Sequence, residues 1–315
     1  MERNINFFKR GIYYIQFLII RFLEKVFMLL PEKTRFKIGE NVAVLAFKIV
    51  GEVRNITILN LKLAFPDKTN DEIKKLGIES CKTMSRAFFV NMWLDKYLEN
   101  DDNFKIVDED LLNEAIKDGP VVFGAMHFGN MEAPVKLANR FPIVTVAKDR
   151  TNPYINDLVI KNRTRFNITL LQKNKTTSRE LIKCAKDGMT PILLTDHRDS
   201  NGTDIKFFGE ETTAPTGVAS IALKYKRPLY LMYCILKENN TTEVHIRKVL
   251  KSDDSSLSFK ENVQKTVQNM FNEMEIVMRE YPEQWMWSYD RWKLHSKYKK
   301  GLLSPELMNF VKTFK

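Results

Sequence analysis

Five short apolar runs separated by stretches of helical character constrain this chain more than any other feature. They begin at the turn signal Gly119-Pro120, which is followed by residues 121–125 (VVFGA), and recur at 143–147, 168–171, 191–195 and 229–236. Unbroken apolar runs of this length are what a strand covered on both faces requires. Residues 131–140, 156–166, 177–187 and 214–224 read as the helices between them, and 243–250 as a further strand. Strands alternating with helices predict an α/β fold, a mixed, largely parallel sheet flanked by helices. Val263, Val267, Phe271, Met274, Met278 and Tyr281 then share one face of a closing helix, the pattern of core packing.

Upstream, residues 33–118 read as a helical region. Asn70-Asp71-Glu72 is a start signal, Ile73, Leu76, Ile78 and Met84 follow a helical stripe, and LKLAFP at 61–66 ends a helix at a proline. Residues 119–293 form the α/β unit, and 294–315 read as a basic tail. Residues 11–20 (GIYYIQFLII) are apolar except for Gln16, and then Arg21, Glu24 and Lys25 intervene. Ten such residues are too few to cross ~30 Å of hydrocarbon. No small-residue cleavage site follows, so a removed signal peptide is not expected. Arg3, Lys9, Arg10, Arg21 and Lys25 beside aromatics and leucines make residues 1–32 a membrane-anchoring helix that lies in the interface. A tilted span over 7–30 would have to bury Arg21.

The formal charge of +11 favours nucleic acid, an anionic membrane surface or an acidic protein as partner. Nucleic acid is disfavoured, because the chain has no finger spacing, no RNP-like aromatic strand and no helix-turn-helix signature. From Arg291 to the end there are seven Lys or Arg and one acid, beside Trp292, Tyr298 and Phe310, a mixture suited either to a membrane interface or to a solvated tail. Cys81, Cys184 and Cys234 are far apart and odd in number, which reads as reduced, buried thiols in a cytoplasmic setting.

The chemistry centres on HFGNME. His127 stands at the end of a strand and Glu132 five residues later, so the carboxylate can orient the imidazole as a general base for an attacking hydroxyl. Gly129 permits a tight turn, and Asn130 helps hold it. The spacing alone is a weak signal; the strand-end setting strengthens it, because functional groups of α/β sheets gather there.

Several ordered segments, taken together, resemble the late acyltransferases of lipid A biosynthesis and the related bacterial mannoside acyltransferases. They are Asn60-Leu61 with Ala64-Phe65-Pro66, the stretch 119–132 with HFGNME, Asn152-Pro153, residues 163–167, residues 196–199, Lys206-Phe207-Phe208-Gly209 with Pro215 and Gly217, and PEQWMWSYDRWK at 282–293. The resemblance implies a glycerolipid-acyltransferase-like fold and a His/Glu dyad without a cofactor. It also implies an acyl-carrier-protein or coenzyme A thioester donor, and a glycolipid acceptor at the cytoplasmic face of the bacterial inner membrane.

The resemblance assigns further residues. Lys148 stands where the family has an arginine, with Arg150 two residues on, and a cation there stabilises an oxyanion or grips phosphate. Arg163 and Arg165 are placed to meet phosphate or the acids of a carrier protein. Asp196-His197-Arg198-Asp199 resembles the family's Asp-x-Asp with one extra residue, which leaves open which Asp matches; the rival reading is a metal held by Asp196, His197 and Asp199. Phe207 and Phe208 read as the wall of an acyl pocket or as core. Trp285, Trp287 and Trp292 with Arg291 read as a headgroup-level anchor or as core. Two other functions compete: a thioesterase or lipid hydrolase using the same dyad on water, though no Gly-x-Ser-x-Gly elbow is present, and a non-catalytic membrane-binding protein.

Overall fold

The computed structural model describes residues 6–164 and 166–314, with the side chains of Asn162 and Arg163 outside the description. The first third is helical: α1 (Phe7–Met28), α2 (Glu32–Ile49), α3 (Gly51–Ala64), α4 (Asn70–Val90) and α5 (Leu94–Glu99). A capping box starts α4, in which the Thr69 side chain accepts from the Glu72 backbone while the Glu72 carboxylate accepts from Thr69 N–H. The helix α2 lies close on α4 because Gly39 has no side chain, and Ser85 Oγ donates to the Gly39 carbonyl at 2.7 Å.

The sheet strands are β1 (Phe104–Ile106), β2 (Val122–Ala125), β3 (Ile143–Ala147), β4 (Thr169–Gln172) and β5 (Thr190–Leu194). A separate hairpin, β6 (Thr203–Phe207) and β7 (Glu210–Ala214), precedes the last two sheet strands, β8 (Leu229–Leu236) and β9 (Thr242–Lys248). The seven-stranded sheet runs β1-β9-β8-β2-β5-β3-β4, parallel at every pairing except the antiparallel β8–β9. Helices α6 (Glu109–Lys117), α7 (Pro153–Thr164), α8 (Thr177–Lys186), α9 (Gly217–Lys224) and α10 (Phe259–Glu280) flank it. Leu229, Leu231, Tyr233 and Ile235 of β8 enter the core that holds α9 and α10. Tyr230, Met232 and Cys234 enter the opposite one with Leu112 and Leu137. Burial on both faces is why β2 and β8 are continuous apolar runs.

Three elements differ from the sequence reading. A strand, β1, lies inside the region read as helical, and its three residues are too few to show a period. Residues 131–140 hold a 3₁₀ turn, Ala133–Asn139, with a proline at its start in place of an α-helix. The hairpin β6–β7 has no counterpart among the apolar runs: the buried residues of β6 alternate with polar ones, and Phe208 (φ 53°) and Gly209 (φ 78°) form a left-handed turn between the strands.

The carboxyl segment is also folded, where a surface tail was one reading. The helices α11 (Leu294–Lys299) and α12 (Pro305–Lys312) pack on α3, and Phe310 and Val311 are buried. Trp285, Trp287 and Trp292 form a buried aromatic cluster with Phe65, Phe207, Phe208 and Phe271, which corrects the reading of a headgroup anchor. Cys234 is buried, Cys81 and Cys184 are half-buried, and all three are free thiols.

No side chain of α1 is buried, and among the described residues no helix is long and apolar enough to cross a membrane. Its ties to the body are local. Asn152 Nδ2 donates to the Tyr13 carbonyl at 2.9 Å, Tyr14 and Phe17 pack on the Tyr154 ring, and Phe27 meets Phe89 and Trp93.

Candidate active site

The strands β2 and β5 are parallel neighbours with Ala125 opposite Leu194, so the residues just past both strands emerge side by side. On β2 that residue is His127, and on β5 it is Asp196. His127 Nδ1 and Asp196 Oδ1 lie 2.8 Å apart, and the His127 backbone N–H donates to Asp196 Oδ2 at 2.8 Å. Trp285 Nε1 donates to the same Oδ2 at 2.7 Å, so the carboxylate receives three donors although its side chain is only 2% exposed. Burial by itself would raise the Asp196 pKa. The charge and hydrogen bonds of His127 and the Trp285 N–H outweigh it and bring the carboxyl to about 2. Asp196 is therefore the ionised acceptor, Nδ1 carries the proton, and Nε2 is the ring nitrogen presented to the cavity. Burial likewise opposes charge on the imidazole. The Asp196 charge and hydrogen bond, joined by the charge of Glu132, more than offset it and raise the His127 pKa.

The turn that carries His127 depends on Gly129. Its φ is 49°, and a Cβ there would fall 2.1 Å from the Cys234 carbonyl oxygen on β8, so no other residue fits. Gly129 N–H donates to the Gln284 carbonyl at 2.8 Å, and Met286 N–H donates to the His127 carbonyl at 3.2 Å.

His127 opens into a cavity of about 530 Å³ whose wall includes Glu132, Lys148, Arg150, Phe88 and Met286. Met131, Glu132, Val135, Val146 and Leu194 are shared with a small inner chamber of about 70 Å³, closed by Ile143, Ile168 and Ile192. A larger groove of about 1030 Å³ lies between α4 and the β8–β9 turn and has no lining residue in common with the His127 cavity. Its walls mix Lys and Glu, and no orienting pair of the His127–Asp196 kind stands in it.

The family model of the bacterial lipid A biosynthesis acyltransferases matches residues 4–294. The chain belongs to this family. Among curated proteins none matches the chain. The matched stretch of this acyltransferase includes every strand, α1 to α10, and both halves of the His127–Asp196 pair.

The fold of the acyltransferase puts the expected site residues in different surroundings. Glu132 shares the cavity, but the carboxylate bonded to the imidazole Nδ1 is Asp196, one of the two acids of the 196–199 segment between which the sequence does not choose. The turn at Gly129 separates Glu132 from the strand end, whereas the neighbouring strand delivers Asp196 directly. Asn130 is fully buried, does not line the cavity, and donates from Nδ2 to Thr242 Oγ1 at 3.1 Å, as a residue holding the turn would. Phe207 and Phe208 also lie away from the cavity, in the aromatic core. Lys148 and Arg150 do line it. The side chain of Arg163 and all of Arg165 lie outside the described residues. For the rival metal site, no group of three or more His, Cys, Asp or Glu among the described residues is placed to hold a metal ion. Sequence reasoning missed Gln284 and the roles of Trp285 and Arg291, because no periodicity relates them to His127.

Proposed function

We propose that this acyltransferase moves a fatty acyl chain from a thioester, carried by acyl carrier protein or coenzyme A, to a hydroxyl of a lipid A precursor or similar glycolipid. The observation that carries the reading is the His127–Asp196 pair at the wall of a cavity that continues into an apolar chamber. His127 Nε2 takes the acceptor's hydroxyl proton as that oxygen attacks the thioester carbonyl carbon. The tetrahedral oxyanion then collapses, the carbon–sulfur bond breaks, and the imidazolium returns its proton to the departing thiolate. Asp196 holds Nδ1–H throughout and stabilises the positive ring. Glu132 adds negative charge from the cavity side, as part of the expected dyad. Lys148 and Arg150, both exposed at the rim, are suited to the oxyanion or to an anionic headgroup. The hydrocarbon chain is suited to the cavity itself, with the apolar side chains Ile143, Ile168 and Ile192 of the small inner chamber against only a short stretch of it.

The test is a mixed pool of acyl thioesters incubated with total bacterial lipid, with products read by mass spectrometry. The expected result is a lipid gaining one acyl group. Free fatty acid alone would instead assign a hydrolase, and an unchanged lipid pool with intact thioester would leave no acyl transfer to explain.

In the proposed function the enzyme works at the cytoplasmic face of the inner membrane, held there by α1; supporting this, Phe8, Ile15 and Phe22 are 77%, 59% and 67% exposed and lie close in sequence to Lys9, Arg10 and Lys25. Replacing these three by Glu is expected to weaken binding to anionic phospholipid vesicles at least about tenfold, since each apolar side chain contributes roughly 1.5–3 kcal/mol when buried in lipid. Undiminished co-sedimentation would move the contact to another part of the chain.

A further inference from the structure

Residues 282–293, between α10 and α11, reach the His127–Asp196 pair from a distant part of the chain: Trp285 and Arg291 lie 89 and 95 residues from Asp196. The three tryptophans of this segment use their indole N–H groups differently. Trp287 donates to the Pro282 carbonyl and Trp292 to the Phe207 carbonyl. Trp285 donates to the Asp196 carboxylate, the one side-chain anion among these acceptors. Arg291 is fully buried, and its hydrogen bonds go to neutral oxygens: Nε to the Asp196 carbonyl at 2.9 Å, Nη1 to Thr212 Oγ1 at 2.6 Å and Nη2 to the Thr213 carbonyl at 3.0 Å. Its plane also sits over the Phe207 and Phe271 rings. Burying a guanidinium without a bonded carboxylate is costly, and packing alone would favour an apolar side chain there. The same segment binds the other half of the pair through the Met286–His127 and Gly129–Gln284 backbone hydrogen bonds.

We infer that Trp285 and Arg291 are positioning residues for acyl transfer: the indole N–H fixes the rotation of the Asp196 carboxylate that receives His127 Nδ1–H, and the guanidinium fixes the backbone that carries it. The inference rests on His127 being the base in the proposed reaction. Neither residue lines the cavity, so both act through Asp196. Among the charged or titratable groups near the pair, Glu132, Lys148 and Arg150 line the cavity and His197, itself near Lys173 and Asp199, interacts with both members; the donors to Oδ2 are the His127 backbone N–H and the Trp285 indole.

Trp285→Phe keeps an aromatic ring and removes the donor. The turnover number is expected to fall about 10- to 100-fold, the worth of a hydrogen bond to a charged group, with KM changed less than about twofold. Without the indole N–H drawing on the carboxylate, Asp196 pairs more strongly with the imidazolium, so the His127 pKa rises. The acid limb of the rate profile and the NMR titration of the His127 ring should therefore move up together. In an Asp196→Ala background the same substitution is expected to cost less than about twofold, because its acceptor is gone. Trp287→Phe, which removes a donor to a backbone carbonyl, should leave the limb in place. Arg291→Lys keeps the charge but not the three-way fork, and it should lower the turnover number with the same dependence on Asp196, which supplies a second variant if Trp285→Phe does not fold.

An equal loss in both backgrounds, or an unmoved His127 titration in a folded variant, would make these residues structural and overturn the inference. The NMR titration needs no turnover and separates the two failures. If His127→Ala stays active while Trp285→Phe still shifts the ring, the proposed base is wrong; if His127→Ala is dead and the ring does not shift, the positioning role is wrong.

Discussion

His127→Ala is expected to lower turnover by roughly 10²–10⁴, the range for removing a general base, with only a small fall in melting temperature. The imidazole is partly exposed in a cavity wall, so its removal leaves no void in the core. Asp196 keeps two of its three donors, the residue-127 backbone N–H and Trp285 Nε1. The pH profile is the second half of the result. The neutral ring is the base, and Asp196 and Glu132 hold its pKa above the ordinary 6.5. Activity should therefore fall on the acid side with a midpoint above that value. A midpoint below 6.5, or near-wild-type turnover in the alanine variant, would remove His127 from the chemistry.

Asp196→Asn is expected to cost a similar factor, roughly 10²–10⁴, although it barely changes shape. The amide can present its NH₂ to Nδ1, which selects the tautomer with the proton on Nε2. A ring protonated there cannot take a proton from the acceptor. Glu132→Gln should cost much less, because Glu132 acts on the ring by charge and the Nδ1 hydrogen bond remains. An Asp196→Asn variant more active than Glu132→Gln would return the orienting role to Glu132.

The same substitution has a signature in stability. The Asp196 pKa falls from 3.8 to about 2 in the fold, worth about 2 kcal/mol of stability by linkage. A depressed carboxyl stabilises above its unfolded pKa, so this contribution is present above about pH 4 and is lost as the pH falls towards 2. His127 has the opposite sign: its contribution is full below 6.5 and is lost as the pH rises through its raised folded value. Melting temperatures followed from pH 6 to pH 2 should accordingly decline less steeply in Asp196→Asn than in the wild type. Parallel curves would mean that the carboxyl is not held ionised by its partners.

Much of the fold was legible because it is written in local pattern. The apolar runs at 143–147 and 229–236 coincide with β3 and β8, and the run at 121–125 contains β2. Helical stretches at 177–187 and 156–166 became α8 and α7 within a few residues. A strand covered on both faces must be apolar throughout, and that requirement is visible without coordinates. His127 was legible for a related reason, since a strand end followed by a glycine turn is a local arrangement. By contrast β1 pairs with β9 across well over a hundred residues and is too short to carry a period of its own.

The sequence by itself determined most strands of the large sheet and most of the helices between them, the turn glycine Gly129, the exposed apolar helix at the amino end and the strand-end position of His127. Only the tertiary structure decided which acid serves that histidine. Glu132 is near in sequence, but a tight turn lies between it and the strand end, while the pairing of β2 with β5 carries Asp196 across 69 residues to 2.8 Å. It also decided that Phe207, Phe208 and the three tryptophans are core, since aromatic side chains look the same in sequence whether they face lipid, substrate or each other. Strand order and side-chain neighbourhood are set by packing among distant segments, and no local pattern encodes them.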